Sequence, residues 1–198
     1  MLKVIAVFLL IIFASGCASL FGWDIHAPGI LSAAFLEKIN PVHGRIALYL
    51  DPHVWNYESK DRGSKTADPQ TYHIGEAFAP MIVEAFQQAF DEFIFMEGEP
   101  DQNILKRYAI PYLAVVRVEA FENKVTWKGQ AVSLTTATVV FDSGMQELGR
   151  FRAKGTSEAE KIFAKKGGPQ VNLNAAVENN ALAIVQHLQD SLRTGLWK

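Results

Sequence analysis

Apolar residues recur at helical spacing in two long stretches of this chain. Over 74–93, Ile74, Phe78, Met81, Ile82, Ala85, Phe86, Ala89, Phe90 and Phe93 fall three and four apart, while Glu84, Gln87, Gln88, Asp91 and Glu92 face away. That wide stripe predicts a core helix. Proline lacks an amide donor, so Pro80 fits if the helix proper begins near Ala77 and the ring falls in the first turn. Over 172–193, Leu173, Ala176, Val177, Ala181, Ile184, Val185, Leu188 and Leu192 form a second stripe. Asn172 or Asn174 is positioned to cap this helix and Gly195 to end it.

Other stretches alternate with period two. In 45–51, Ile46, Leu48 and Leu50 oppose Ala47 and Tyr49, which predicts a strand that Pro52 stops. Over 112–127, Tyr112, Ala114, Val116, Val118 and Ala120 share one face. The β-branched run 131–141 and the segment 147–156 follow, with turns expected at 128–130 and at Asp142-Ser143-Gly144. Three such strands in succession form a meander. A short strand or a helix exit is expected at 93–96.

The order is strand, long helix, three-strand meander, long helix. It predicts an α+β, two-layer sandwich in which both amphipathic helices cover one face of a mostly antiparallel sheet. Between strand and first helix, 52–73 is polar but carries Trp55, Tyr57 and Tyr72, and reads as a long aromatic-bearing loop. Residues 17–41 read as a tether with a short helix over 30–38, whose Leu31, Ala34, Phe35 and Ile39 share a face that docks on the domain or on a partner rather than in lipid. Residues 42–198 form the single domain.

The first residues change the picture most. Lys3 precedes an unbroken apolar run over 4–14, and Ser15, Gly16 and the chain's one cysteine, Cys17, follow. The run is shorter than the roughly 20 residues that span a bilayer. Its order of charge, apolar core and small residues is that of a secretory signal, here 1–16. Ala14-Ser15-Gly16-Cys17 resembles a lipobox, with Ala14 where Leu is the commonest residue. The resemblance implies cleavage before Cys17, acylation of Cys17, and a lipid anchor. Ala18 and Ser19 lack the Asp that retains such proteins at the inner membrane, which implies an outer-membrane, periplasm-facing address.

Removing 16 of the 198 residues leaves 182, and loss of Lys3 takes the formal charge from −2 to −3. Without a basic run, nucleic acid is excluded as an expected partner. His26, His43, His53, His73 and His187 are scattered without metal-ligand spacing, so no metal site and no cofactor is expected. The Asp51-Pro52-His53 triplet at a strand end is a hint of an envelope hydrolase, Glu119 and Glu122 are a candidate carboxylate pair that reads equally as solvent contacts, and the chain has no nucleophile elbow or phosphate loop. Arg150, Arg152 and Lys154 share a strand face, either as a contact for an anion or partner or as the solvated face of an edge strand.

The lipobox, the element order and the alanine-bearing terminal helix broadly resemble small outer-membrane accessory lipoproteins. Those of polysaccharide secretion, curli secretion, cell-wall-synthase activation and lipopolysaccharide assembly are comparable. The resemblance implies the fold class and the address; with no convergent catalytic cluster in the sequence, the expected function is that of a nonenzymatic accessory or assembly factor, held at the outer membrane by acylated Cys17, that binds an envelope protein or itself. Trp55, Tyr57, Arg150, Arg152 and Lys154 are the expected contacts. The alternative is a periplasmic carrier or sensor of a lipid or glycan, with a groove near Phe78, Phe86 and Trp127.

Overall fold

The computed structural model describes residues 22–61, 69–126, 129–157 and 168–197. The leader, Cys17 and Trp127 lie outside the described residues. The strands are β1 (Trp23–Ile25), β2 (Val42–Leu50), β3 (Glu58–Asp61), β4 (Gln70–His73), β5 (Phe90–Met96), β6 (Tyr112–Thr126), β7 (Gly129–Asp142) and β8 (Glu147–Thr156). The helices are α1 (Ala33–Leu36), α2 (Pro52–Trp55), α3 (Ile74–Ala89), α4 (Gln102–Arg107) and α5 (Gly168–Thr194). None of the described helices is long and apolar enough to cross a membrane.

The main sheet has five strands in the order β5-β2-β6-β7-β8. The antiparallel meander β6-β7-β8 is present, but β2 pairs in parallel with both β5 and β6. The sheet is therefore mixed rather than mostly antiparallel. The cause is β5, which begins at the residue after α3 ends, so the helix acts as a crossover that returns the chain alongside β2. α4 then carries the chain to the other flank of β2.

Ile46, Leu48 and Leu50 of β2, Ala114 and Val116 of β6, and Leu134 and Val140 of β7 form the buried inner face. They share one core with Phe78, Ile82 and Phe86 of α3 and Leu173, Val177, Ile184 and Leu188 of α5. On the opposite face Ala47, Met96, Leu105, Ile110 and Leu113 make a smaller cluster with α4. α3 starts at Ile74, which leaves Pro80 inside the helix. Glu76 and Pro80 are both exposed, so the proline, which leaves the Glu76 carbonyl without an amide partner, lies on the outer side of the helix.

The segment 52–73 differs most from expectation. Its described residues form α2, β3 and β4, and β3 and β4 join β1 in a second sheet of order β1-β4-β3. The strands ESKD and QTYH are short and polar, so their alternation carries no apolar signal. Residues from 22 to 41 also belong to the folded body, since Ile25, Ala27, Leu31, Phe35 and Ile39 are buried in the main core, although Ala34 is exposed. Gly75 allows α2 to sit on α3, because a Cβ there would lie 2.3 Å from the Val54 carbonyl oxygen.

α5 begins before both asparagines that were expected to cap it. Asn172 instead donates to the Gln130 carbonyl at 2.8 Å and Asn174 to that of Ile30 at 3.1 Å. At its end Gly195 has φ of 67°. The Gly195 amide bonds Leu192 and the Leu196 amide bonds Ser191, which closes the helix in a Schellman motif.

Candidate functional site

Trp55 lies at the end of α2 and remains 45% exposed. Its ring meets Phe95 of β5 edge-on, with centroids 6.0 Å apart and planes at 72°. Tyr57 is half-buried against the core. It lines a hollow of about 200 Å³ with Asp51, His53, Val54, Arg117 and Val118. The two aromatics therefore point to different surroundings.

In that hollow Asp51 does not address the His53 ring. Its Oδ1 accepts the His53 backbone amide at 2.9 Å, as the cap of α2. The Asp-Pro-His triplet is thus explained by helix initiation, with Pro52 in the first helical position.

The basic row on β8 is outward-facing and neutralised within the chain. Arg150 donates to Glu147 at 2.7 and 2.6 Å, Arg152 donates to Glu119 at 2.7 Å, and Lys154 Nζ lies 3.7 Å from Glu122. The Arg152 hydrogen bond holds the Glu119 carboxyl below its ordinary value, and Arg117 adds to this effect. Arg150 likewise lowers Glu147. These partners make the row the charged face of an edge strand rather than an array of free cations.

The opposite edge of the sheet differs in kind. β5 ends the five-stranded sheet, and beside it runs an apolar groove of about 420 Å³. Ile94, Phe95, Met96, Glu97, Glu99, Ile104, Tyr108 and Ile110 are among its lining residues. Ile104 and Tyr108 are 40% and 57% exposed, although they lie at helical spacing on α4 and its cap, where a buried pair would be expected. Phe95 lines this groove and also touches Trp55, so Trp55 and the groove form one apolar margin. Glu97 and Glu99 are exposed at its rim and make no ion pair among the described residues.

Of the expected contacts, Trp55 belongs to this margin, while Arg150, Arg152 and Lys154 stand on the far edge of the sheet. Sequence reading missed Ile104 and Tyr108. Their signal is an apolar pair four apart on a helix too short to bury it. Phe78 and Phe86, expected near a ligand groove, are fully buried in the main core.

No family model matches the chain, and no curated protein matches it. Solved structures of similar course include the hypothetical protein CT253 from Chlamydia trachomatis, at 6% identity and TM-score 0.47, over 75% of this chain and 96% of that one. A PelC dodecamer from Paraburkholderia phytofirmans is similar at 10% identity and TM-score 0.42, over 82% of this chain and 92% of that one. Lipoprotein GNA1162 from Neisseria meningitidis is similar at 9% identity and TM-score 0.27, over 48% of this chain and 54% of that one. The last match thus spans about half of each chain. At such identities and scores these likenesses carry no assignment of function.

Proposed function

We propose that this protein is a nonenzymatic accessory lipoprotein of the cell envelope. Acylated Cys17 anchors it to the periplasmic side of the outer membrane, and it binds an extended segment of an envelope protein at the β5 edge. The observation that supports this reading most directly is the continuous apolar margin of Trp55, Phe95, Ile104 and Tyr108 beside that edge strand. An edge strand offers unpaired backbone donors and acceptors, and natural folds normally protect such edges with charge or cover. Here Asp91 and Glu92, paired with His43 and Arg45, guard the first half of the strand, and apolar rings flank its second half. That combination suits strand addition, in which backbone hydrogen bonds supply affinity and side-chain pockets supply specificity. Glu97 and Glu99 at the rim favour a segment that carries Lys or Arg beside its apolar residues. Anchoring keeps the domain and a membrane-bound partner on one surface, which raises their effective concentration.

The test is site-specific photo-crosslinking of the full chain in a Gram-negative host, with the photoreactive residue at Ile104, at Tyr108 or at Arg150. A single adduct species at Ile104 and Tyr108, absent at Arg150 and lost on Trp55→Ala, is the expected result. Adducts at Arg150 alone would reject the β5 assignment. Cys17→Ala in the same cells is expected to remove acyl mass and release the protein from the outer-membrane fraction. An unlipidated wild-type chain in the periplasm would reject the anchor.

A further inference from the structure

The three-stranded sheet gathers two histidines and three carboxylates at one end. His26 follows β1, His73 ends β4 at the entrance to α3, and Glu76 lies in the first turn of α3. The antiparallel register places Glu58 opposite His73, and Asp24 on β1 completes the group. His26 Nδ1 is 2.7 Å from Glu76 Oε2. His73 Nδ1 is 3.0 Å from Glu58 Oε1, and its Nε2 is 3.5 Å from Asp24 Oδ1. The two imidazoles stack with centroids 4.1 Å apart and planes 6° from parallel. One ligand atom from each of His26, His73 and Glu76 lies within 4.8 Å of the others.

From this geometry we propose that His26, His73 and Glu76 bind a divalent zinc-class ion that clasps the N-terminal segment to α3. Two imidazole nitrogens and one carboxylate oxygen form a donor set suited to zinc. Bond lengths of about 2.0–2.2 Å to a tetrahedral ion put ligand atoms about 3.3–3.5 Å apart. The group is therefore within little more than 1 Å of that spacing. The stacked rings must splay before both nitrogens meet one ion. His26 supplies that movement, since its side chain is 52% exposed, whereas His73 is 18% exposed and held on two sides.

Glu58 has the geometry of an orienting carboxylate. Its contact with His73 Nδ1 holds the ring; the same nitrogen lies 3.9 Å from Glu76 Oε1, so binding through Nε2, the usual arrangement behind a metal-bound histidine, requires the exposed Glu76 carboxylate to swing toward it. Asp24, beside Nε2, offers a fourth ligand, and a water would serve equally. The positive end of α3 opposes a cation here, but the three carboxylates Asp24, Glu58 and Glu76 outweigh its half charge.

The consequence concerns the segment that follows the anchor. His26 lies between Ile25 and Ala27, both buried in the main core, and nine residues beyond Cys17, so an ion shared with His73 and Glu76 would reinforce the seat of this segment on α3; its link to an anchor rests on the proposed function. Metal occupancy would then stiffen the junction of β1, β4 and α3, where this segment enters the folded body.

The test uses the full chain with Cys17→Ser, which removes the thiol as a competing ligand, after chelator treatment and dialysis. Calorimetric titration with Zn²⁺ alone is expected to show about one ion per chain, and Co²⁺ absorption to show the d–d bands of a low-symmetry nitrogen and oxygen site. His26→Asn, whose parent side chain is half exposed, is expected to keep the native circular dichroism and lose at least tenfold in affinity. Glu58→Gln is expected to weaken binding by roughly tenfold without changing stoichiometry. Heating is expected to show a zinc-dependent rise in Tm in the parent and not in His26→Asn. No binding at millimolar Zn²⁺, or unchanged affinity in a folded His26→Asn variant, would overturn the proposal.

Discussion

Gly155 of β8 lies so close to α5 that a Cβ at this position would stand 2.3 Å from the Asn180 backbone nitrogen and 2.0 Å from the Ala176 carbonyl oxygen. Both obstacles are backbone, so no rotamer change relieves them. Gly155→Ala is expected to destabilise the protein by about 3 kcal/mol or more, since helix and sheet must separate to admit one methyl group. Gly149 lies on the same strand but has only the Trp197 Nε1 atom nearby, at 3.7 Å. Gly149→Ala is expected to change stability by less than about 1 kcal/mol. Urea denaturation of the two variants checks the contrast, and equal midpoints would reject it.

The same close approach brings the Asn180 side chain onto the sheet. Its Nδ2 donates to the Leu134 carbonyl at 3.1 Å and the Ala153 carbonyl at 3.0 Å, and its Oδ1 accepts from Thr136 Oγ1 at 3.0 Å. All three bonds are buried, so an apolar replacement strands groups that water cannot reach. Asn180→Leu is expected to cost roughly 2–4 kcal/mol. Thr136→Val removes one of those stranded groups, so the double variant is expected to be less unstable than the sum of the singles by roughly 1 kcal/mol. A double-mutant cycle in urea measures the difference directly.

The stripes of α3 and α5 and the alternation of β6 through β8 were legible in the sequence because burial on one face imposes a period. Phe78, Phe86, Val177 and Ile184 fall where that rule puts them. Asn180 broke the rule, being a fully buried polar residue inside an apolar stripe, and only the sheet groups above it explain its place. β3 and β4 were not legible, because ESKD and QTYH are held by pairing with neighbours rather than by an apolar face. β5 was obscured by its direct continuation from α3, and with it the parallel pairing to β2. In the candidate site, the ring of Trp55 could be named from sequence, but its companions Phe95, Ile104 and Tyr108 come from later elements. The His26 and Glu76 contact joins residues 50 apart, a proximity that no local spacing records.

The Arg152 and Glu119 pair gives an acid-range prediction. Glu119 sits on β6 and Arg152 on β8, joined across the outer face of β7, and the arginine holds the carboxyl below its ordinary value. A carboxylate lowered in the folded state contributes stability above its unfolded pKa and loses it as pH falls through the folded value. Arg152→Ala is expected to move the Glu119 titration midpoint up toward the ordinary carboxylate range, and Arg117→Ala to move it less. Carbon-detected NMR of the Glu119 carboxyl across the acid range checks both shifts, and an unmoved midpoint in Arg152→Ala would reject the assignment.

Tyr72 sets the corresponding limit at alkaline pH. Its side chain is fully buried on β4, the central strand of the small sheet, and its ring tilts against Phe121 of β6 at 4.8 Å. The hydroxyl donates to Gln70 Oε1 at 2.7 Å and accepts from Gln130 Nε2, and Asn123 links the same group to Asp61. Burial pushes the phenol well above its ordinary value near 10, the Gln130 donor offsets part of that rise, and the charge of Asp61 adds to it. A buried phenol of this kind favours the folded state fully below the unfolded pKa, and that contribution is lost as pH rises through the folded value. The phenolate can form readily only when the junction between the two sheets opens. Absorbance at tyrosine-ionisation wavelengths is therefore expected to show a late step that coincides with loss of circular dichroism above about pH 10. Tyr72→Phe is expected to cost about 1 kcal/mol at neutral pH through the lost hydrogen bonds, and yet to flatten the alkaline decline of stability. A Tyr72→Phe variant that kept both the late step and the alkaline slope would show that another group carries them.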